Sequence, residues 1–160
     1  MNVKKIFRTG SLMFFTILLL IITNEGKAKM SNNNDREEIK SIIEKAYIEG
    51  IHTTQDINTI RTGFHKDFEM LVYKDNGISE VTLEMWYKRI EQLKKDNPVL
   101  WNKETRYESM QINVSGYAAS VQFDVYKGNA FFSTDFMLLY KFEDGWKIVS
   151  KIFTTEKNKN

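Results

Sequence analysis

Tyr117 to Thr155 reads YAASVQFDVYKGNAFFSTDFMLLYKFEDGWKIVSKIFTT. Its β-branched and aromatic residues fall into three runs, Tyr117 to Tyr126, Ala130 to Phe142 and Trp146 to Thr155, parted by Gly128-Asn129 and Asp144-Gly145. Turn dipeptides between such runs specify antiparallel hairpins. A fourth run of the same kind, Tyr107 to Val114, precedes them, so the second half predicts four sequential antiparallel strands. Connections this short exclude parallel crossovers between them.

The turns fix an expected register. With Asp144-Gly145 as a two-residue loop, Lys141 opposes Ile148, Leu139 opposes Ser150, Met137 opposes Ile152 and Asp135 opposes Thr154. With Gly128-Asn129 as another, Asp124 opposes Ser133 and Gln122 opposes Asp135. One face then carries Gln122, Asp124, Ser133, Asp135, Met137 and Trp146, and the other carries Val121, Phe123, Phe136, Leu138 and Tyr140. Neither face has the charged alternation of a solvated surface, so both need cover. Helices can supply one cover and a second copy of the chain the other, which predicts a homodimer through the sheet. The mixed face under the helices is expected to wall a ligand cavity.

The first half has helical periodicity. Asp35 is the expected N-cap, with Glu38 completing a capping box, of a helix burying Ile39, Ile42, Ile43, Ala46 and Tyr47. A second helix runs from Asp56 towards Arg61 and stops at Gly63, and a strand from Phe68 to Tyr73 ends in the turn Asp75-Asn76-Gly77. Thr82 caps a third helix whose stripe is Leu83, Trp86, Tyr87, Ile90 and Leu93, until Pro98 breaks it. Helices followed by a meander make an α+β domain with its helices on one face of a curved sheet.

Composition narrows the function. The chain has 160 residues, 42% apolar and 28% charged, with one Pro, eight Gly and no Cys, which suits one globular domain without disulfide, thiolate nucleophile or cysteine-held metal. Lys4, Lys5 and Arg8 precede an apolar run from Leu12 to Ile22, then Gly26 and Ala28. This is the pattern of a secretory signal peptide, residues 1–28, with cleavage expected after Ala28. Its apolar run is too short to span a bilayer, so the mature chain, residues 29–160, is expected to be exported, periplasmic or secreted, with no stable membrane insertion. That leader holds four of the cations against one carboxylate, so the net charge of +2 becomes −1 without it. No basic stripe remains, and nucleic acid is excluded as a partner. His52 and His65 have no third ligand at a metal spacing, so no metal is expected, and no phosphate loop or dinucleotide fingerprint implies a cofactor.

Gly63-Phe64-His65-Lys66-Asp67-Phe68, Thr134-Asp135-Phe136 with Leu139, and Glu143-Asp144-Gly145-Trp146-Lys147-Ile148-Val149-Ser150-Lys151 occur in that order. Together they resemble the Putative lumazine-binding family of the nuclear transport factor 2-like (SnoaL-like) superfamily. The resemblance implies a cone-shaped α+β fold with three N-terminal helices on a curved antiparallel sheet, a pocket between the layers, and frequent dimerisation through the sheet. It also places the chain near ketosteroid isomerases, dehydratases and polyketide cyclases. Tyr47-Ile48-Glu49 is similar to the isomerase stretch that carries an oxyanion-hole tyrosine. Asp135 lies near the strand position of the isomerases' neutral carboxylic acid, and their proton-abstracting carboxylate falls near Val72, which takes no proton.

Two functions follow as expectations. One is a non-catalytic module that binds a small pterin-like or lumazine-like molecule, with Tyr47, His65, Trp86, Asp135 and Met137 as its ligand-binding residues. The alternative is an isomerase, dehydratase or cyclase with Asp135 as acid or base and Tyr47 as donor. Asp124, a diagonal neighbour of Asp135 in the expected register, would pair with it if both were buried, but its place near the strand end favours a solvated carboxylate. Lys151, on the mostly apolar face, has three readings, a side chain that snorkels to solvent, a pair across a dimer interface or a buried cation, of which the first is commonest. In a third, structural reading the cone is filled by its own Phe and Met side chains.

Overall fold

The computed structural model describes residues 33–101 and 103–156. The expected leader, residues 1–28, lies outside the described residues. Compactness divides the chain into Met1–Asp35 and Arg36–Asn160, and the second unit holds every element below. Residues 33–35 are already helical, so Asp35 is not the N-cap that the capping-box pattern predicts. Glu38 has another partner, accepting the Trp146 backbone N–H at 3.3 Å.

Helix α1, residues 36–54, passes from α geometry into a π-helix over Ile43–Thr54. The Thr53 and Thr54 hydroxyls donate to the carbonyls of Ile48 and Glu49, five residues back, at 3.1 and 3.2 Å. Gln55 ends the helix in the left-handed region with φ 53°. Helix α2, Ile57–Gly63, is capped by Asp56, whose carboxylate accepts the backbone N–H groups of Asn58 and Thr59. Gly63 lets α2 close on α1, since a Cβ there would stand 2.4 Å from the Ala46 Cβ. Strand β1, Phe64–Lys74, turns at Asp75 and Asn76, both at positive φ, into β2, Gly77–Thr82. The Thr82 hydroxyl then caps α3, Leu83–Asp96, by accepting the Met85 N–H. Pro98 opens the short α4, Pro98–Trp101. The strands β3 (Thr105–Ser115), β4 (Ala118–Lys127), β5 (Ala130–Phe142) and β6 (Gly145–Thr154) complete the chain.

The four sequential strands lie where the sequence puts them, with ends differing by at most two residues. Two features differ from expectation. The β1–β2 hairpin interposes between α2 and α3, so the helices do not all precede the sheet. The sheet order is β2-β1-β6-β5-β4-β3, and its β1–β6 pair is parallel. A parallel pair is possible there because everything from β2 to β5 separates the two strands, far more chain than a crossover needs.

Register is the larger correction. Lys127 opposes Ala130 and Tyr126 opposes Phe131, but Val125 then opposes Ser133, which leaves Phe132 as an extra residue. On the other hairpin Phe142 opposes Gly145, so the loop is Glu143-Asp144, and Val149 is skipped between Ile148 and Ser150. Each bulge shifts every later side chain by one position. Asp135 therefore opposes Phe123 and Phe153, and Met137 opposes Val121 and Lys151. The inner face carries Val121, Phe123, Val125, Ser133, Asp135, Met137, Leu139, Trp146, Ile148 and Lys151, all buried. Phe136, Leu138, Tyr140 and Ile152 turn to the outer face, where Leu138 is 55% exposed.

Inside, α1 and α3 cover the sheet. Tyr47 of α1 meets Phe123 at a ring separation of 5.8 Å and Trp86 of α3 at 5.9 Å, and Trp86 stacks on Phe68 of β1 at 5.7 Å. Leu83, Trp86 and Ile90 of the expected α3 stripe are buried and Tyr87 is half-buried, whereas Leu93 is exposed.

Candidate functional site

Asp135 is the polar centre of the inner face and has no solvent exposure. Tyr47 donates its hydroxyl hydrogen to Oδ2 of Asp135, and the Lys151 ammonium stands 3.0 Å from Oδ1. Lys151 also lies over three aromatic rings, 4.3 Å from the centroid of Phe153, 5.6 Å from Tyr47 and 5.7 Å from Trp86. Lys151 is thus a buried, paired cation rather than a snorkelling one. Asp124 is on the other side of the sheet, where the Thr134 hydroxyl donates to it at 2.6 Å, so it does not pair with Asp135.

Burial sets the electrostatics of this cluster. It raises the Tyr47 hydroxyl well above its ordinary pKa of 10.0, and the Asp135 charge and hydrogen bond raise it further. Tyr47 therefore remains a proton donor to Asp135. Burial lowers the Lys151 ammonium while Asp135 works against that shift. His52 packs edge-on against Tyr47 at 4.7 Å; burial, then the charges of Lys127 and Lys151, hold it well below 6.5. Lys127, drawn down to about 8 by burial, donates to Thr105 Oγ1 at 2.6 Å and to the His52 carbonyl at 3.2 Å.

Four of the five predicted ligand-binding residues, Tyr47, Trp86, Asp135 and Met137, come together here, each buried. The fifth, His65, lies apart, on the wall of a cleft of about 840 Å³ formed by α2, α3, the start of β1 and the β5–β6 turn. Phe64 joins the two places, since it lines the cleft and touches Trp86 at 6.0 Å. The His65 ring lies parallel to Phe142, 9° from coplanar at 4.7 Å, and its Nδ1 accepts the Asp67 N–H at 3.3 Å. In the neutral ring that leaves the proton on Nε2.

Most charges around the cleft neutralise one another. Lys88 pairs with Glu84 at 3.3 Å, and Lys66 with Asp67 at 2.7 Å. Lys147 pairs with Asp144 at 3.1 Å and donates to the Thr62 carbonyl at 2.9 Å. Arg61 and Glu91 line the same cleft, and among the described residues neither has an ion-pair partner. Arg61, Tyr87, Glu91 and Phe142 are the residues that sequence reasoning missed as site residues, because Arg61 and Phe142 come from elements far from α3 in the chain and the Tyr87–Glu91 spacing on α3 carries no motif. Among the described residues no three His, Asp or Glu side chains gather to hold a metal, and no helix is long and apolar enough to cross a membrane.

The Putative lumazine-binding family model matches residues 34–154. The chain belongs to that family. Its fold recurs in a nuclear transport factor 2-like protein of unknown function from Shewanella baltica, at 25% identity and TM-score 0.63, with 78% of this chain and 96% of that one covered. A nuclear transport factor 2-like protein with a cystatin-like fold from Novosphingobium aromaticivorans shares it at 15% identity and TM-score 0.62, covering 83% and 89%. A putative ketosteroid isomerase from Shewanella frigidimarina does so at 13% identity and TM-score 0.52, covering 73% and 94%. No curated protein matches the chain. This member of the Putative lumazine-binding family thus has the nuclear transport factor 2-like fold, with two chemically distinct places around one aromatic core.

Proposed function

We propose that this protein is an exported, non-catalytic small-molecule-binding module that takes a planar, pterin-like heterocycle in the cleft beside His65. The observation that carries this reading is the contrast in access. A cleft of about 840 Å³ lies within the range of ligand sites, offers the His65–Phe142 stack as a platform, and holds one cation and one carboxylate, Arg61 and Glu91, without an ion-pair partner among the described residues. Such a pair suits a heterocycle whose edge alternates carbonyl acceptors with ring N–H donors. Asp135 and Tyr47, by contrast, are sealed and bonded to each other, and an acid or base must reach the proton it moves. In this reading Tyr47, Trp86, Asp135 and Met137 are the base on which Phe64 and the cleft rest.

Export is supported by the leader pattern, Lys4, Lys5 and Arg8 before Leu12 to Ile22. Mass spectrometry of the mature protein, expected to begin at Lys29, tests it. A homodimer through the outer sheet face is supported by the exposure of Leu138, Tyr140 and Ile152 at 50–55%. Sedimentation should give twice the monomer mass, and Leu138→Asp should halve it.

The Tyr47–Asp135 hydrogen bond supports a second reading, an isomerase-type enzyme. Thermal-shift screening of pterins, flavins and small ketones, with product analysis, separates the two. Stabilisation without turnover that disappears in Arg61→Ala supports binding in the cleft. Turnover that Asp135→Asn abolishes overturns it.

A further inference from the structure

A second cleft, of about 470 Å³, is lined by Gln55, Ile57, Ile60, Tyr87, Ile90, Glu91, Lys94 and Lys95. It shares Ile57, Tyr87 and Glu91 with the first, so the two meet along these three side chains. The chemistry changes across that seam. The first cleft has the aromatic platform; the second has an aliphatic floor of Ile60 and Ile90, two ammonium groups and no stacked ring pair of its own. Lys94 and Lys95 have no ion-pair partner among the described residues, and Glu91 is the one carboxylate on this wall. The nearby Asp96 is held by Gln92, whose side-chain amide donates to it at 2.9 Å.

Two further donors sit at the same wall. Gln55 Nε2 and the Tyr87 hydroxyl are both shielded from solvent without a hydrogen-bond partner. Satisfied burial is the rule for such groups, so these two donors are available to an acceptor that enters the cleft. Gln55 is held at the lip by a left-handed backbone, a conformation that costs a non-glycine residue energy and fixes where its side chain starts. Two cations and two unused donors together favour an acceptor-rich anion.

We propose that the ligand is bipartite: a planar ring seated in the first cleft and an anionic tail, carboxylate or phosphate, that crosses Tyr87 to Gln55, Lys94 and Lys95. This rests on the cleft being the binding site, and it adds the class of molecule that the site selects. The ring supplies stacking area, and the tail supplies the acceptors that the second cleft lacks.

Calorimetric titration of the full chain with two matched pairs tests it: riboflavin against riboflavin 5′-phosphate, and pterin against pteroylglutamate. The tailed member of one pair should bind at least about tenfold tighter, the order that one or two charge-assisted hydrogen bonds supply. The pair that shows the gain tells phosphate from carboxylate. Lys94→Gln with Lys95→Gln should bring the tailed compound down to the level of the untailed one, and Gln55→Ala should remove part of the gain. Circular dichroism checks that each variant is folded. Equal affinity within both pairs, or a gain that survives the double substitution, overturns the tail while leaving the cleft as a binding site. Binding of none of the four overturns the ring-and-tail class, and the wider thermal-shift screen then decides separately whether the cleft binds anything.

Discussion

Asp135 and Glu91 are both carboxylates beside a tyrosine and within reach of aromatic rings, yet their surroundings assign them opposite work. Asp135 is sealed between Tyr47 and Lys151, with a partner on each oxygen. Glu91 stands on an open wall beside Arg61 and Tyr87, with no ion-pair partner among the described residues. Residue type alone would put the chemistry at the first place. Access puts it at the second, because a sealed ion pair is closed to a ligand, whereas a charge without an ion-pair partner on a cleft wall is open to one.

The largest expected effect tests the sealed side. Asp135→Ala leaves the Lys151 ammonium buried without its counter-charge, and should destabilise the protein by about 3–5 kcal/mol in urea unfolding. Asp135→Leu combined with Lys151→Met should recover most of that loss, because two charges no longer need to be desolvated. A single substitution costing no more than a surface one would mean that water reaches the cluster, and the contrast with the cleft would break.

These two regions were unequally legible in the sequence. Asp56, Gly63, Thr82 and the turn at Asp75-Asn76 announced helix and strand ends, because capping and positive φ have few residue solutions. The strands were legible from their β-branched runs, but their register was not. The bulged residues, Phe132 and Val149, are chemically the same as their ladder neighbours, so nothing marks them as extra. Without the Phe132 bulge the expected register put Asp124 beside Asp135, and without the Val149 bulge and the shifted turn it turned Lys151 away. Strand β2 was missed as well, since the short run before Thr82 has one buried residue, Val81, and faces solvent elsewhere. The cleft draws Arg61, Tyr87 and Phe142 from separate elements, and only His65 had a local motif to point to it.

Gly63 tests the seam between the regions at the next scale. It ends α2 just before Phe64 and His65, and an added Cβ would fall 2.4 Å from the Ala46 Cβ and 2.9 Å from the Ile42 Cγ2. The first of these atoms is fixed to the α1 backbone beside Tyr47. Gly63→Ala should therefore cost about 1–3 kcal/mol by overpacking and should also weaken cleft ligands by moving Phe64. A loss of stability with unaltered binding would show that the two places are mechanically separate.

Acid titration sharpens the sealed side further. Burial and the charges of Lys127 and Lys151 keep native His52 neutral well below pH 6.5, whereas the unfolded ring takes up a proton near that pH. The unfolded state then binds more protons, so the stability present above pH 6.5 falls as the pH drops, by at most about 1.4 kcal/mol per unit. Urea midpoints between pH 6.5 and 5.5, above the range where most carboxylates titrate, should show this slope, and His52→Phe should flatten it. An unchanged slope in that variant would place the proton uptake elsewhere.

Arg61→Ala should have the smallest effect on stability and is the strictest test of the open side. The residue is exposed on α2 and has no ion-pair partner among the described residues, so the fold loses no pairing when its guanidinium goes. Its removal should change the unfolding free energy by no more than about 0.5 kcal/mol, the usual range for surface sites without a structural role. The same variant should lose the ligand-induced rise in melting temperature, because the cation faces the cleft rather than the core. If Arg61→Ala instead unfolds as readily as the sealed-cluster variants, its charge is structural. The cleft would then hold no spare cation for a ligand, and the distinction between the two carboxylates would no longer follow from access.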